Sequence, residues 1–275
     1  MSTIHPDVSE FQDHIDSSFN RDFVMLRISN EHGHVDDKIK VNLERALDFR
    51  RSGKIVNLGG YIDPGVVDNS VHLKNLETVR FPKDAVVMID AESWPQKKTN
   101  KVLVSGDHSA QFNELADAIR SRQNGRADLV WGYGNTGDLN SLWPHRPSWL
   151  GLIVASYGLP KPSFPNMVGW QYTDDKLHDI GDRPRSTPPF GNCDHNELFI
   201  PIPNPEEDDM TPEQADQLKT VLSLVKRLEF GVVNEGGLPF RERGEVTDQI
   251  RATRSDIAAL RRDVDKLVAR LPAEH

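Results

Sequence analysis

Residues 86–92 join an apolar run to two carboxylates and are the strongest sign of chemistry in the sequence. Four apolar residues lead directly into Asp90, and Glu92 follows two positions later. On a strand, side chains at i and i+2 point to the same face, with Cα atoms about 6.6 Å apart. Two carboxyl groups this close push each other's pKa values apart, as acid catalysis requires. The simpler interpretation is a pair of solvated loop acids after a buried strand.

Two other aspartates stand beside short apolar runs. Asp7 lies where a first strand would end, and Asp194 precedes the apolar run 198–202. Taken singly, each fits a turn or a capping aspartate better than a catalytic acid. A further strand ends in Trp170, Gln171 and Tyr172, which is typical either of a sugar-stacking surface or of an aromatic core layer.

Strand and helix patterns alternate through the first 200 residues, which predicts βαβ units and a parallel sheet, as a barrel or a doubly wound fold. Helices are predicted at 37–52 and 109–122, and they become sparse after Tyr133. No G-x-G-x-x-G or Walker A pattern supports a nucleotide site. Strands are predicted at 23–28, 55–62, 85–89, 129–133, 152–156 and 168–172.

Composition excludes several functions. The net charge of -9 lacks the basic face that nucleic acids or anionic membranes attract. No apolar run approaches the roughly 20 residues that span a bilayer, and the N-terminus shows no signal-peptide pattern, so we expect neither membrane insertion nor Sec export. The single cysteine, Cys193, rules out an intrachain disulfide framework.

In this order, the motifs resemble glycoside hydrolase family 25, the muramidases called Chalaropsis-type lysozymes, over roughly residues 4–200. The family's D-V-S-x-x-Q opening matches residues 7–12, its acid pair matches 88–92, and its W-Q-Y element matches 170–172. Weaker matches are the second strand at 23–28 with Asn42, Ala46 and Gly53, the third strand at 59–61, an A-x-Y strand at 155–157, and a D-x-N element at 194–196.

This resemblance implies an α/β fold, an irregular TIM-like (β/α)5β3 barrel, that cleaves the β-1,4 bond between N-acetylmuramic acid and N-acetylglucosamine in bacterial peptidoglycan. Glu92 would be the general acid, and Asp90 would stabilise the positive charge that develops on the sugar or its acetamido group. Asp7 and Asp194 would hold the carboxylate array. The residues predicted to line a sugar cleft are Tyr61, Tyr133, Trp170, Gln171 and Tyr172. No metal or other cofactor is required.

The sequence departs from the family at two positions. Tyr61 is followed by Ile62 and Asp63 where the family usually has histidine, and Arg27 replaces a common lysine. Family 18 chitinase-like barrels also end a strand in D-x-E, but their longer D-x-x-D-x-D-x-E run is missing here.

Two other kinds of site are weaker. Residues 32–34 read His-Gly-His, but without a further ligand at metal spacing they fit a loop better. Cys193 beside Asp194 has no Cys-His family context and fits an incidental thiol better than a nucleophile.

Residues 206–275 are predicted to form a helical tail that follows a Pro-rich linker ending the catalytic unit at 1–205. A first helix is expected at about 211–230, and a coiled coil at about 245–271. Apolar residues there repeat every seven positions, favouring a parallel homodimer, with packing onto the chain's own body as the alternative. Positions a are Ile250, Ile257, Val264 and Leu271; positions d are Val246, Thr253, Leu260 and Leu267.

These features together predict a phage endolysin that accumulates in host cytoplasm and then acts on the wall. A virion-associated lysin is the close variant. The competing class is a non-catalytic glycan-binding or structural virion protein on the same barrel.

Overall fold

The computed structural model describes residues 2–65, 67–93, 104–158, 160–174, 176 and 178–204. Eight strands close into a barrel in the order β1, β10, β7, β6, β5, β4, β3, β2. Strands β1 to β7 run parallel to one another, whereas β10 is antiparallel to both β7 and β1. The barrel strands are β1 (Thr3–Val8), β2 (Met25–Ser29), β3 (Gly59–Ile62), β4 (Val86–Asp90), β5 (Val130–Asn135), β6 (Gly151–Ala155), β7 (Met167–Thr173) and β10 (Asp194–Leu198).

One helix follows each of the strands β2 to β5. Among the described residues, no α-helix follows the later barrel strands. They are α1 (Ile39–Arg51), α2 (Asn69–Thr78), α3 (Ser109–Arg122) and the short α4 (Thr136–Ser141). A small hairpin of β8 (Ser186–Thr187) and β9 (Gly191–Asn192) precedes β10. The irregular α/β barrel predicted from the sequence is confirmed, with helices sparse after β5 as expected.

Helix α2 is absent from the sequence predictions because its buried face is polar. His72 Nε2 donates to the Pro64 carbonyl (3.2 Å), its Nδ1 lies 2.9 Å from Ser29 Oγ, and Asn75 Nδ2 donates to the Gly33 carbonyl (2.9 Å). A helix held by buried hydrogen bonds shows little of the apolar periodicity on which helix prediction rests.

Alternation along the strands separates two cores. Val86 and Met88 pack inside the barrel with Met25, Trp131 and Ile153. Val87 and Ile89 face outward to the core that the helices cover. Alternate side chains of each strand therefore face the interior of the barrel. At the carboxyl ends of the strands, these inward-facing side chains point into the barrel mouth.

One compact unit of the chain ends at Pro203. The side chain of Asn57 ties this end to the barrel by donating to the Pro203 carbonyl (2.8 Å) and the Asp84 carbonyl (3.0 Å). The predicted tail helices and the predicted boundary at 205 lie outside the described residues. No helix within those residues is long and apolar enough to cross a membrane.

Gly134 sets how closely β5 approaches the segment that carries the acid pair. A Cβ there would lie 2.7 Å from the backbone oxygen of Ala91, and such a contact requires the backbone to move. A Cβ at Gly132, on the same strand, would meet only side-chain ends of Leu152, Trp143 and Leu150 at 2.9–3.1 Å.

We therefore expect Gly134→Ala to lower the free energy of unfolding by about 1–3 kcal/mol, the usual cost of overpacking. Gly132→Ala is the matched control and should cost less. Urea denaturation of both variants measures the difference. Equal stabilities for the two variants would mean that the backbone contact at Ala91 does not limit this strand.

Candidate active site

Four carboxylates meet at one end of the barrel. Asp90 is the last residue of β4, and Glu92 lies two positions beyond it. Asp7 lies near the end of β1, directly opposite Asp194, the first residue of β10. Because β10 is antiparallel, its first residue lies at the same end as the last residues of the parallel strands. The structure thus brings together the four acids that the resemblance singles out.

The acid pair faces the interior of the barrel mouth. Asp90 continues the inward series of Val86 and Met88, and Glu92 is the next position of that period. The Ala91 amide donates to the Tyr133 carbonyl (2.9 Å), and the Ser93 hydroxyl donates to Asp138 (2.6 Å), so the residues on both sides of Glu92 are anchored. Glu92 is only partly buried and remains open to a substrate.

Burial and crowding keep protons on these acids. Burial raises the pKa of Glu92 to about 8, with Asp63, Asp138 and Asp194 adding to the rise. Burial, followed by the charge of Glu92, also raises the pKa of Asp90 well above its ordinary value. The pKa of Asp7 is raised by burial and Asp194, although a hydrogen bond with Asn196 opposes this. Glu92 therefore carries a proton at neutral pH.

A tyrosine pair and one amide lie beside Glu92. Gln171 Oε1 accepts from the hydroxyls of Tyr133 (2.5 Å) and Tyr157 (3.0 Å). Tyr133 also lies within hydrogen-bonding reach of Glu92. The proximity of Tyr133 lowers the pKa of Glu92 and so opposes part of the rise that burial causes. Tyr133 and Gln171 are both buried beside Glu92, and their role in lining a sugar cleft stays a prediction.

Tyr61 lies on the inner face of β3, beside Arg27 of β2. Burial raises the pKa of its phenol well above the ordinary value, with Asp7 the leading nearby charge, so the hydroxyl remains protonated as a hydrogen-bond donor. The Arg27 guanidinium binds Glu10 (2.6 Å) and Asp36 (2.9 Å) and is already committed to carboxylates.

Trp170 and Tyr172 do not fit the prediction that they line a sugar cleft. Both are fully buried on the outer side of β7, where they pack with Ile180. Trp170 Nε1 donates to the Ser156 carbonyl (2.7 Å), and the Tyr172 hydroxyl donates to the Pro184 carbonyl (2.7 Å). Neighbouring residues of a strand face opposite sides, so the strand that turns Gln171 inward turns both aromatics outward.

Three further residues belong to the mouth but are not among the site residues predicted from the sequence. Asn196 hydrogen-bonds Asp7, Tyr157 is 40% exposed beside Gln171, and Asp63 is the leading charged neighbour of Glu92. For Asp63 a signal was present, because it follows Tyr61 by two positions and shares its face.

The Cys193 thiol has no activating partner in the described structure. Its sulfur lies 4.0 Å from His195 Nε2, which already hydrogen-bonds the Thr187 hydroxyl at 2.9 Å. Burial raises the pKa of the thiol to about 12, so it is a poor nucleophile near neutral pH. Residues 32 and 34 are exposed, and within the described ranges no group of three or more His, Cys, Asp or Glu side chains is arranged to hold a metal ion.

Comparison with known proteins identifies the fold. No protein-family model matches the sequence. An uncharacterized protein of Mycobacterium tuberculosis is 28% identical over 205 residues, covering 70% of this chain and 68% of that protein. A family 25 glycosyl hydrolase from Bacillus anthracis superposes with a TM-score of 0.54 at 17% identity, covering 72% of this chain and 89% of that one.

The modular autolysin LytC from Streptococcus pneumoniae gives a TM-score of 0.50 at 16% identity over 72% of this chain. This chain spans about half of the LytC chain, 47% of its length. The barrel therefore has the fold of glycoside hydrolase family 25, and the resemblance drawn from the motifs is confirmed at the level of the fold.

Glu92→Gln should stabilise the protein, and increasingly so as the pH rises. The pKa of Glu92 is about 8 in the folded state against 4.5 for an ordinary glutamate, so only the unfolded chain releases this proton between those values. The contribution of Glu92 to the free energy of unfolding is therefore fully present below pH 4.5 and is lost as the pH rises towards 8.

We expect the Tm of Glu92→Gln to exceed that of the native chain by at least about 2 °C at pH 8, the shift that ~1 kcal/mol produces in a domain of this size. The difference should shrink towards pH 4.5. Glu77→Gln, at an exposed glutamate of α2, is the control and should show no such trend. A difference that does not depend on pH would contradict the assignment of a protonated Glu92.

Proposed function

We propose that this protein is a muramidase that hydrolyses the β-1,4 bond between N-acetylmuramic acid and N-acetylglucosamine in bacterial peptidoglycan. The observation that carries the proposal is the position of Glu92, which lies partly accessible at the barrel mouth beside the buried carboxyl group of Asp90, where burial raises its pKa to about 8. The names of two proteins with the same fold, a family 25 glycosyl hydrolase and an autolysin, support the same class of reaction.

In this mechanism Glu92 donates its proton to the glycosidic oxygen. The C1–O bond breaks, its electron pair stays with the leaving oxygen, and positive charge develops at C1 and the ring oxygen. Water then adds to C1 and returns a proton to the Glu92 carboxylate. The pair formed by Asp90 and Glu92 titrates in two steps, so loss of the first proton leaves one acid and one carboxylate, the division of roles that this chemistry needs.

Asp90 stabilises the positive charge through the acetamido group of the sugar. Its Oδ1 is buried without a hydrogen-bond partner among the described residues. A substrate N–H would satisfy it and would orient the acetamido carbonyl oxygen to attack C1. Direct attack by a carboxylate is the alternative route, and two acids on the same strand favour the assisted one.

The candidates for sugar contacts are Tyr61, Tyr133 and Gln171, whose side chains turn to the interior of the barrel. Tyr157 takes the place of the two buried aromatics, since it is exposed and bonded to Gln171. Phe11, in the loop after β1, exposes 78% of its surface above the Arg27 guanidinium (5.2 Å) and offers an apolar ring at the rim.

Glu92→Gln should reduce clearing of purified bacterial walls by about 10²–10⁴-fold, the usual contribution of a general acid. Loss of turbidity at fixed protein concentration measures this, and Glu77→Gln should clear walls as fast as the native chain. Equal clearing by Glu92→Gln would exclude Glu92 as the acid. A native chain that binds walls and clears none would favour the non-catalytic glycan-binding protein.

For the biological setting we propose phage-induced lysis, with the enzyme held in host cytoplasm until the membrane is breached. A virion-associated lysin is the alternative. Net charge does not explain attraction to an often anionic wall, because the chain is itself acidic. Targeting would then depend on glycan contacts at the barrel mouth or on the C-terminal segment.

The heptad pattern at 245–271 predicts a homodimer. Light scattering should give the full chain about twice its 31.0 kDa mass and give a version ending at Pro205 the mass of a monomer. If both run as monomers, the coiled-coil hypothesis is wrong and intramolecular packing of the tail is favoured.

A further inference from the structure

We propose that Asp63 is a fifth acid of this site, a positioning residue that keeps the proton on Glu92 and thereby sets the upper pH limit of the reaction. The catalytic consequence rests on the proposed function. The placement of Asp63 beside the acid pair does not.

The strand register brings Asp63 next to Asp90. Strand β3 pairs with β4 from Gly59 with Val86 to Ile62 with Ile89. Continuing this register by one residue sets Asp63 beside Asp90, on strands about 4.8 Å apart. Asp63 also follows the inward-facing Tyr61 by two positions, so the two side chains share the face that lines the mouth.

The turn after β3 holds Asp63 in place. Its amide donates to the Ser29 carbonyl (3.1 Å), and its Oδ1 accepts from the Gly65 amide (3.1 Å). Gly65 has a φ of +49°, and a Cβ there would lie 2.3 Å from the Glu31 carbonyl oxygen, so the turn needs glycine. Asp63 is 6% exposed and is fixed at the mouth by backbone groups.

No positive charge near Asp63 is free to neutralise it within the described part of the chain. Arg27 is its nearby cation, but that guanidinium already binds Glu10 and Asp36. Burial and the charge of Glu31 raise the pKa of Asp63 to about 7, while the Gly65 amide and Arg27 oppose the rise. The hydrogen bond from the Gly65 amide and the nearby Arg27 favour the carboxylate form of Asp63, and that negative charge opposes the loss of the Glu92 proton.

The other elements that face Glu92 contribute less. Asp138 of α4 and Asp194 of β10 add to the rise in the pKa of Glu92 after Asp63, and Tyr133 of β5 lowers it. Asp138 is also held by Ser93 and by Asn135 Nδ2 (2.6 Å), which spreads its charge over hydrogen bonds. Tyr157 stays a neutral phenol, because burial raises its pKa. Among the acids outside the pair of Asp90 and Glu92, Asp63 is thus the one whose removal should act most strongly on Glu92.

The test is a ¹³C NMR titration of the Glu92 carboxyl group in the full chain, assigned by its absence in Glu92→Gln. In Asp63→Asn the titration midpoint of Glu92 should fall by about 1 pH unit or more. Asp63→Glu keeps the charge and should restore most of the midpoint. Asp84→Asn is the matched control, since it makes the same change before the start of β4, at the opposite end of the barrel.

The high-pH limb of kcat/KM on soluble wall fragments should move down with the NMR midpoint. If Asp63→Asn does not fold, Asp63→Ser takes its place in both measurements. An unchanged Glu92 midpoint in a folded variant overturns the inference, whatever the activity. A lowered midpoint in a chain that cleaves no wall upholds the inference and removes the muramidase proposal.

Discussion

Keeping carboxyl groups out of water at one end of the barrel is the constraint on which the rest of this structure depends. A lone carboxylate in a dry site is so costly that the group keeps its proton instead. Closure of the barrel by β10 provides that site, because it brings Asp194 opposite Asp7 and seals the side of the mouth away from Asp90 and Glu92. The proton that the proposed reaction needs is therefore a consequence of the architecture.

The sequence predicts much of this arrangement, because apolar runs mark the parallel strands and a period of two sets the faces of β4. The same period of two also determines the faces of residues on β7 and β3, which the family motifs do not show. Trp170 and Tyr172 must face away from Gln171, and Asp63 must share a face with Tyr61. A family motif gives residue types in order, but the alternation of side chains along the strand determines which of those residues can contact a substrate.

Other features depend on tertiary contacts that local patterns do not encode. Helix α2 buries His72 and Asn75 against backbone carbonyls, so its sequence lacks an apolar stripe. The antiparallel direction of β10 is seen only in its pairing with β1 and β7 and is not indicated by its own residues. Asp194 is therefore predicted as a site residue only from the family resemblance, and its neighbours in the sequence do not indicate this position.

The site also shapes how stability depends on pH. Buried His5 and His195 stay neutral, since burial lowers their pKa values to about 3 and about 4. Their contribution to the free energy of unfolding is present above pH 6.5 and is lost as the pH falls below it. The acids with raised pKa values act in the opposite sense and cost stability as the pH rises. Folding thus tolerates the acid cluster best in mildly acidic solution, where the cluster is also protonated.

The most direct test of the central claim is to identify the new reducing ends in a wall digest. Borohydride reduction of the products, followed by mass spectrometry, shows which sugar was released at C1. We predict reduced N-acetylmuramic acid from the native chain and none above background from Glu92→Gln. Reduced N-acetylglucosamine, or cleavage confined to the peptide stems, would contradict the assignment of this barrel as a muramidase.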